Sequence, residues 1–154
     1  MGKSIKLKND TYWNISSILK VFYEYQLSSS QTKTTNDYEI ITFDNLICGS
    51  KGNRHALSRN NGRFTINDTG TYRIIFNGYI NPKTNNGQRA LAIYKNGNNQ
   101  TEIIRADIPS EQRTPFSFTY INKYKQGDII DIRFRGITGD DIWSQSTLII
   151  EQIE

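Results

Sequence analysis

Three groups of residues have the types and spacing to do chemistry. His55, the single histidine, lies in a glycine-containing stretch with Cys48 and Ser58 close in sequence. A Cys–His or Ser–His pair there would supply a nucleophile and its base. Cys48, however, follows Leu46 and Ile47, a context that predicts a small buried apolar residue. With no matched acid, base or metal-ligand set beside it, the expectation is a protein that is not an enzyme, with no catalytic residue and no cofactor.

Asp140 and Asp141 follow Thr138 and Gly139. Calcium takes several oxygen ligands from one loop. Two adjacent carboxylates are few, a solvated turn accounts for them as well, and no metal site is expected. Trp143 shares the loop. An exposed indole beside carboxylates is a platform on which a sugar ring stacks while the acids take its hydroxyls; the same Trp also suits the core at the start of a last strand. Asn85, Asn86 and Gln88, in the turn-rich stretch 81–88, add amide donors and acceptors. The candidate ligand-binding residues are therefore Asn85, Asn86, Gln88, Asp140, Asp141 and Trp143, all on polar loops of the kind a rigid scaffold presents.

That scaffold reads as strands. In 62–80, Phe64 and Ile66 alternate before Asn67-Asp68-Thr69-Gly70, and Tyr72, Ile74 and Phe76 alternate after it. A period of two with aromatic and β-branched residues predicts a half-buried antiparallel pair around a turn. Lys95-Asn96-Gly97-Asn98 is the strongest hairpin signal, because Asn-Gly accepts positive φ at both turn centres; it joins strands at 90–94 and 101–107. Further strands are expected at 21–26, 39–43, 46–48, 116–121, 129–135 and 147–153. In 129–135, Ile130, Ile132 and Phe134 point inward and Asp131, Arg133 and Arg135 outward. Stretch 28–37 reads as a long exposed loop and 49–53 as flexible. Residues 1–19 read as an N-terminal arm or attachment segment holding a short strand and packed by Trp13, and 20–154 as the main domain.

Composition agrees. The chain has 154 residues, enough for one domain burying roughly 70% of its unfolded surface, with 36% hydrophobic and 12% aromatic residues. Abundant Asn, Thr and Ser with little Ala disfavour helices and suit strands joined by polar turns. Eight to ten strands at spacings near ten residues predict an all-β sandwich or barrel. The net charge of +4 is dispersed along the chain. It allows a preference for anionic partners such as phosphate-rich cell-wall polymers, and no aromatic-basic motif points to nucleic acid. One cysteine excludes an intrachain disulfide framework. No apolar run approaches the length of a membrane span, and no secretory core follows Met1, so cytosolic synthesis without membrane insertion is expected. The Asn-x-Ser/Thr triplets at Asn9, Asn14, Asn67 and Asn99 are then incidental.

The order of these elements resembles the globular head of complement's first component and the wider tumour necrosis factor-like jelly rolls. The residues that carry the likeness run from about 42 to 151: Thr42-Phe43-Asp44-Asn45, Gly62-Arg-Phe64, Thr69-Gly70-Thr71-Tyr72 with Phe76, Leu91 with Lys95-Asn96-Gly97, Gly127-Asp128 and Ser146-Thr147-Leu148. The resemblance implies a ten-strand jelly roll that associates as a homotrimer through aromatic and aliphatic side chains. Ile75 and Tyr79, opposite Tyr72, Ile74 and Phe76, and Ile149 and Ile153, opposite Leu148 and Ile150, are the residues a subunit interface would use; a covering loop would serve them equally.

The opening Ser4-Ile5-Lys6-Leu7-Lys8-Asn9 resembles those of structural proteins of phages infecting Gram-positive bacteria. The functional expectation is a non-enzymatic trimeric virion module, in a tail fibre, baseplate or head fibre. It would join other virion proteins through the N-terminal segment and act outside the cell on a host polysaccharide or teichoic acid. A ligand-free structural cap or connector, and a spore-surface or secreted protein of the same fold, are the alternatives.

Overall fold

Apolar residues at every second position decide which strand faces turn inward. The computed structural model, which describes residues 4–6, 12–14, 22–49, 57–83 and 86–154, arranges those strands in two facing antiparallel sheets with no helix among the described residues. His55, Asn85, stretch 50–53 and the Trp13 side chain lie outside the described residues.

In chain order the strands are β1 (Ser4–Lys6), β2 (Tyr12–Asn14), β3 (Phe22–Gln26), β4 (Gln31–Thr32), β5 (Glu39–Ile40), β6 (Asn45–Gly49), β7 (Leu57–Asn60) and β8 (Arg63–Ile66). They continue with β9 (Gly70–Asn81), β10 (Gly87–Lys95), β11 (Asn98–Ile108), β12 (Thr114–Tyr124), β13 (Ile129–Arg135), β14 (Asp141–Ile142) and β15 (Thr147–Gln152). Several are two-residue bridges. The N-terminal pair β1–β2 forms its own small ladder, with Ile5 opposite Trp13.

One sheet runs β11-β10-β13-β8-β7, with β5 also on β13. The other runs β12-β9-β15-β3-β6, and β14, with β4 outside it, continues the edge of β9 past β15. Between the sheets lie Phe64, Ile66, Leu91, Ile93, Ile130, Ile132 and Phe134 from the first, and Tyr25, Tyr72, Ile74, Phe76, Phe118, Leu148 and Ile150 from the second. Tyr25 of β3 meets Phe64 of β8 across the core at 4.9 Å between ring centroids, and Phe76 stacks on Phe118 at 5.7 Å. Offset and tilted aromatic pairs of this kind contribute about 0.5–1.5 kcal/mol each beyond the area they bury.

The Asn-Gly hairpin forms as expected. Lys95 faces Asn98, and the central Asn96 and Gly97 have φ of 52° and 80°. The pairing expected in 62–80 does not form. β8 pairs with β7 and β13, whereas β9 pairs with β12, β14 and β15, so 67–69 cross from one sheet to the other. The Tyr72 hydroxyl donates to the Asp68 carbonyl at 2.7 Å and ties down the crossing. A period of two reveals which face is buried; both strands bury one face in the same core, and nothing local says which strand each takes as neighbour.

Three further expectations change. Asp131 does point outward, yet it is buried, because Arg133 bonds it at 2.6 Å and Arg63 lies at 4.0 Å. Cys48 is exposed, not buried, since β6 is a sheet edge whose Leu46 and Ile47 are also exposed. Stretch 28–37 contains β4 and the buried Lys33, whose ammonium bonds the Phe134 carbonyl at 3.2 Å and pairs with Glu39 at 3.4 Å. Burial lowers the Lys33 pKa, and Glu39 partly offsets it.

Candidate functional site

The loops carrying the expected ligand residues leave the sheets at one end of the sandwich. β9 ends there at Asn81, β10 begins at Gly87, β11 ends at Ile108, β12 begins at Thr114, and β15 begins at Thr147. Gly139, with φ of 96°, turns the chain before Asp140.

Asp140 does not face solvent. It is fully buried and forms a fork with the equally buried Arg89, Nε to Oδ2 at 2.9 Å and Nη2 to Oδ1 at 3.1 Å. The Ile137 amide donates to Oδ2 at 2.8 Å. The remaining Arg89 nitrogen donates to the carbonyls of Gly87 and Ile108 at 2.7 and 3.0 Å. Asp141 is also buried, accepting from Thr32 Oγ1 at 2.6 Å and pairing with Lys83 at 2.5 Å. Both carboxylates thus pin loops to the sandwich, and neither is presented to a ligand. Among the described residues no group of three or more His, Cys, Asp or Glu side chains is placed to hold a metal ion.

Trp143 is half-buried and stands at a surface cleft of about 180 Å³ that Tyr79, Arg113, Asn77 and Gln145 also line. The Arg113 guanidinium lies between two rings, 4.1 Å from the Tyr79 centroid and 4.2 Å from the Trp143 ring. Backbone bonds fix the arrangement: the Trp143 amide donates to the Tyr79 carbonyl at 2.9 Å, and the Ser146 hydroxyl donates to the Trp143 carbonyl at 2.8 Å. Gly78 is required here, because a Cβ on it would meet the Ser146 Cβ at 2.6 Å. No hydrogen bond among the described residues uses the Arg113 guanidinium, which leaves its donors for a hydroxyl-rich or anionic ligand. Arg113 carried no signal in the sequence; Tyr79 was legible only as an outward apolar residue.

The other candidates fall elsewhere. Asn86 is exposed, and its Oδ1 accepts from the Ser110 amide at 2.8 Å. Gln88 is exposed beside Arg135, at 3.4 Å. Of the nucleophile candidates, Cys48 sits on β6 and Ser58 on β7, in different sheets. Slight desolvation and the Glu24 carboxylate, 3.6 Å from the sulfur, push the pKa of the exposed Cys48 thiol up, away from a reactive thiolate.

A second surface feature lies on the outward face of β12-β9-β15. Ile75 is opposite Ile149 on one side and Thr119 on the other. Ile121, 54% exposed, lies beside them, while Tyr79, 43% exposed, stands beyond a polar row of Ser117, Asn77 and Thr147. Arg73 and Glu151, directly opposite each other, form an ion pair at the edge of the face.

No protein-family model matches the sequence, and no curated protein matches it. Solved structures do match in shape. Murine APRIL at pH 5.0 superposes with a TM-score of 0.67 at 12% identity, over 88% of this chain and 100% of that one. The Eiger TNF of S. frugiperda gives a TM-score of 0.62 at 8% identity, over 88% and 93%. The fold is a tumour necrosis factor-like jelly roll. In this jelly roll the order β3-β15-β9-β12 forms one sheet, so its outward isoleucines and the Trp143 cleft belong to the same layer.

Proposed function

We propose that this chain is a non-enzymatic homotrimeric jelly-roll module of a phage particle, in a tail fibre, baseplate or head fibre, that adheres to a host surface polysaccharide or teichoic acid. The observation that carries the reading is the outward face of β9. Ile75 faces away from the core beside Ile149, with Ile121 exposed on the same side. Isoleucines gathered on the outside of a sheet mark an interaction surface, and the resemblance drawn from the sequence supplies the occupant, two further copies around a three-fold axis. Tyr79, Arg113 and Trp143 then recur three times, so weak individual contacts to a repeating polymer add up through avidity.

Co-sedimentation of the full chain with Gram-positive cell walls, intact or stripped of teichoic acid and polysaccharide, tests adhesion. Pelleting with intact walls, reduced in Arg113→Ala, supports it; absence of pelleting with any wall contradicts it. The burial of Asp140 and Asp141 favours a second reading in that event, a structural trimeric cap without a ligand.

A further inference from the structure

At the end of the β9–β12 pair opposite Trp143, a second pocket of about 440 Å³ opens on the surface. Tyr124 pairs with Gly70 there, whereas Pro115 pairs with Tyr79 at the other end. Nine residues of extended strand separate the two, roughly 30 Å. The larger cavity is therefore a separate site, and it lies within the 300–1,000 Å³ range that holds small organic ligands.

Its lining is basic. Lys95, Lys123 and Lys125 all contribute, against the single acid Glu154. Lys95 is fixed in place: its ammonium pairs with Asp128 at 2.8 Å and stands 5.3 Å from the centre of the Tyr124 ring. Asp128 is itself held by the Asn96 side chain at 2.9 Å and the Lys125 amide at 2.8 Å. Lys123 and Lys125 have no ion-pair partner among the described residues, so their flexible ammonium groups remain available to an anion.

The remaining lining suits a hydroxylated body attached to that anion. Thr69 and Thr71 offer hydroxyls, and the Glu154 carboxylate, 3.3 Å from Thr71 Oγ1, is an acceptor. The Tyr124 ring lines the pocket as well, while its hydroxyl is buried inside the protein, out of reach of the pocket, and has no hydrogen-bond partner among the described residues. A buried donor of this kind is normally paired. Burial raises its pKa and keeps the phenol neutral.

We propose that this cavity binds a phosphate ester of a small polyol, with Lys95, Lys123 and Lys125 around the phosphate and Thr69, Thr71 and Glu154 on the polyol hydroxyls. The site does not depend on the Trp143 cleft or on the adhesion reading.

Calorimetric titration of the full chain with glycerol 3-phosphate tests it, with glycerol, inorganic phosphate and a poly(glycerol phosphate) chain as comparison probes. Glycerol 3-phosphate binds more tightly than inorganic phosphate, and glycerol does not bind. Lys123→Gln with Lys125→Gln weakens binding by about tenfold or more, whereas Arg113→Ala leaves it unchanged. Tighter binding per unit by the polymer assigns a polymeric source, and equal binding assigns the free ester. No binding of glycerol 3-phosphate, binding indifferent to the two lysines, or equal binding of inorganic phosphate overturns the proposal.

Discussion

The guanidinium of Arg89 and the carboxylate of Asp140 meet as a two-bond fork with both side chains wholly out of solvent. Arg89 leaves the start of β10, and Asp140 closes the loop before β14. The pair therefore joins the two sheets at the end where the Trp143 cleft stands.

Asp140→Ala leaves the buried Arg89 charge without the Asp140 carboxylate. The expected loss of stability is about 3–5 kcal/mol, the cost of breaking a buried pair by removing one member. Urea unfolding measures it. A loss under about 1 kcal/mol, the range of exposed pairs, would mean that the fork does not hold the loop.

Gly97 has φ of 80° and nothing within 4 Å of the position a Cβ would take. Gly97→Ala therefore tests backbone conformation alone, and the expected cost is about 1–2 kcal/mol. An unchanged melting temperature would show that the turn adopts another conformation.

Burial alone would raise the pKa of Glu39, but bonds from Thr35 and Thr34 and the charge of Lys33 outweigh it and hold the carboxyl at about 2. A folded-state pKa below the ordinary 4.5 contributes stability that is complete above that value and is lost as pH falls through about 2. Melting curves between pH 5 and pH 2 (roughly the window such a depressed carboxyl spans) should fall more steeply in the parent than in Glu39→Gln. Parallel curves would assign the acid sensitivity to other carboxylates.

Arg113→Ala removes the cation between Tyr79 and Trp143. Because Arg113 is exposed, the stability change should stay within about 1 kcal/mol, while Trp143 fluorescence shifts and wall binding falls. An unchanged emission spectrum would show that the stack is not formed in solution.

What could be read from the sequence was what local chemistry determines. Asn96-Gly97 announces its hairpin because two adjacent residues must take positive φ, and the alternation in 129–135 places Ile130, Ile132 and Phe134 inward as found. Long-range partners left no local mark. β8 and β9 looked like a pair because each buries one face, yet they lie in different sheets. Asp140 and Asp141 looked solvated because their counter-charges, Arg89 and Lys83, lie 51 and 58 residues away in the chain. Cys48 looked buried from its apolar neighbours, although an edge strand exposes all three. Trp143, read as either a surface platform or a core residue, is half-buried beside a cleft, whereas Arg113, the residue that stacks against it, left no mark in the sequence.

The central claim, that the outward face of β9 is covered by further copies of this chain, is tested most directly by mass. Light scattering on the purified full chain should give three times the 17.8 kDa of one chain, and Ile75→Arg should reduce it to a folded monomer. A parent protein that scatters as a 17.8 kDa monomer at micromolar concentration would contradict the account.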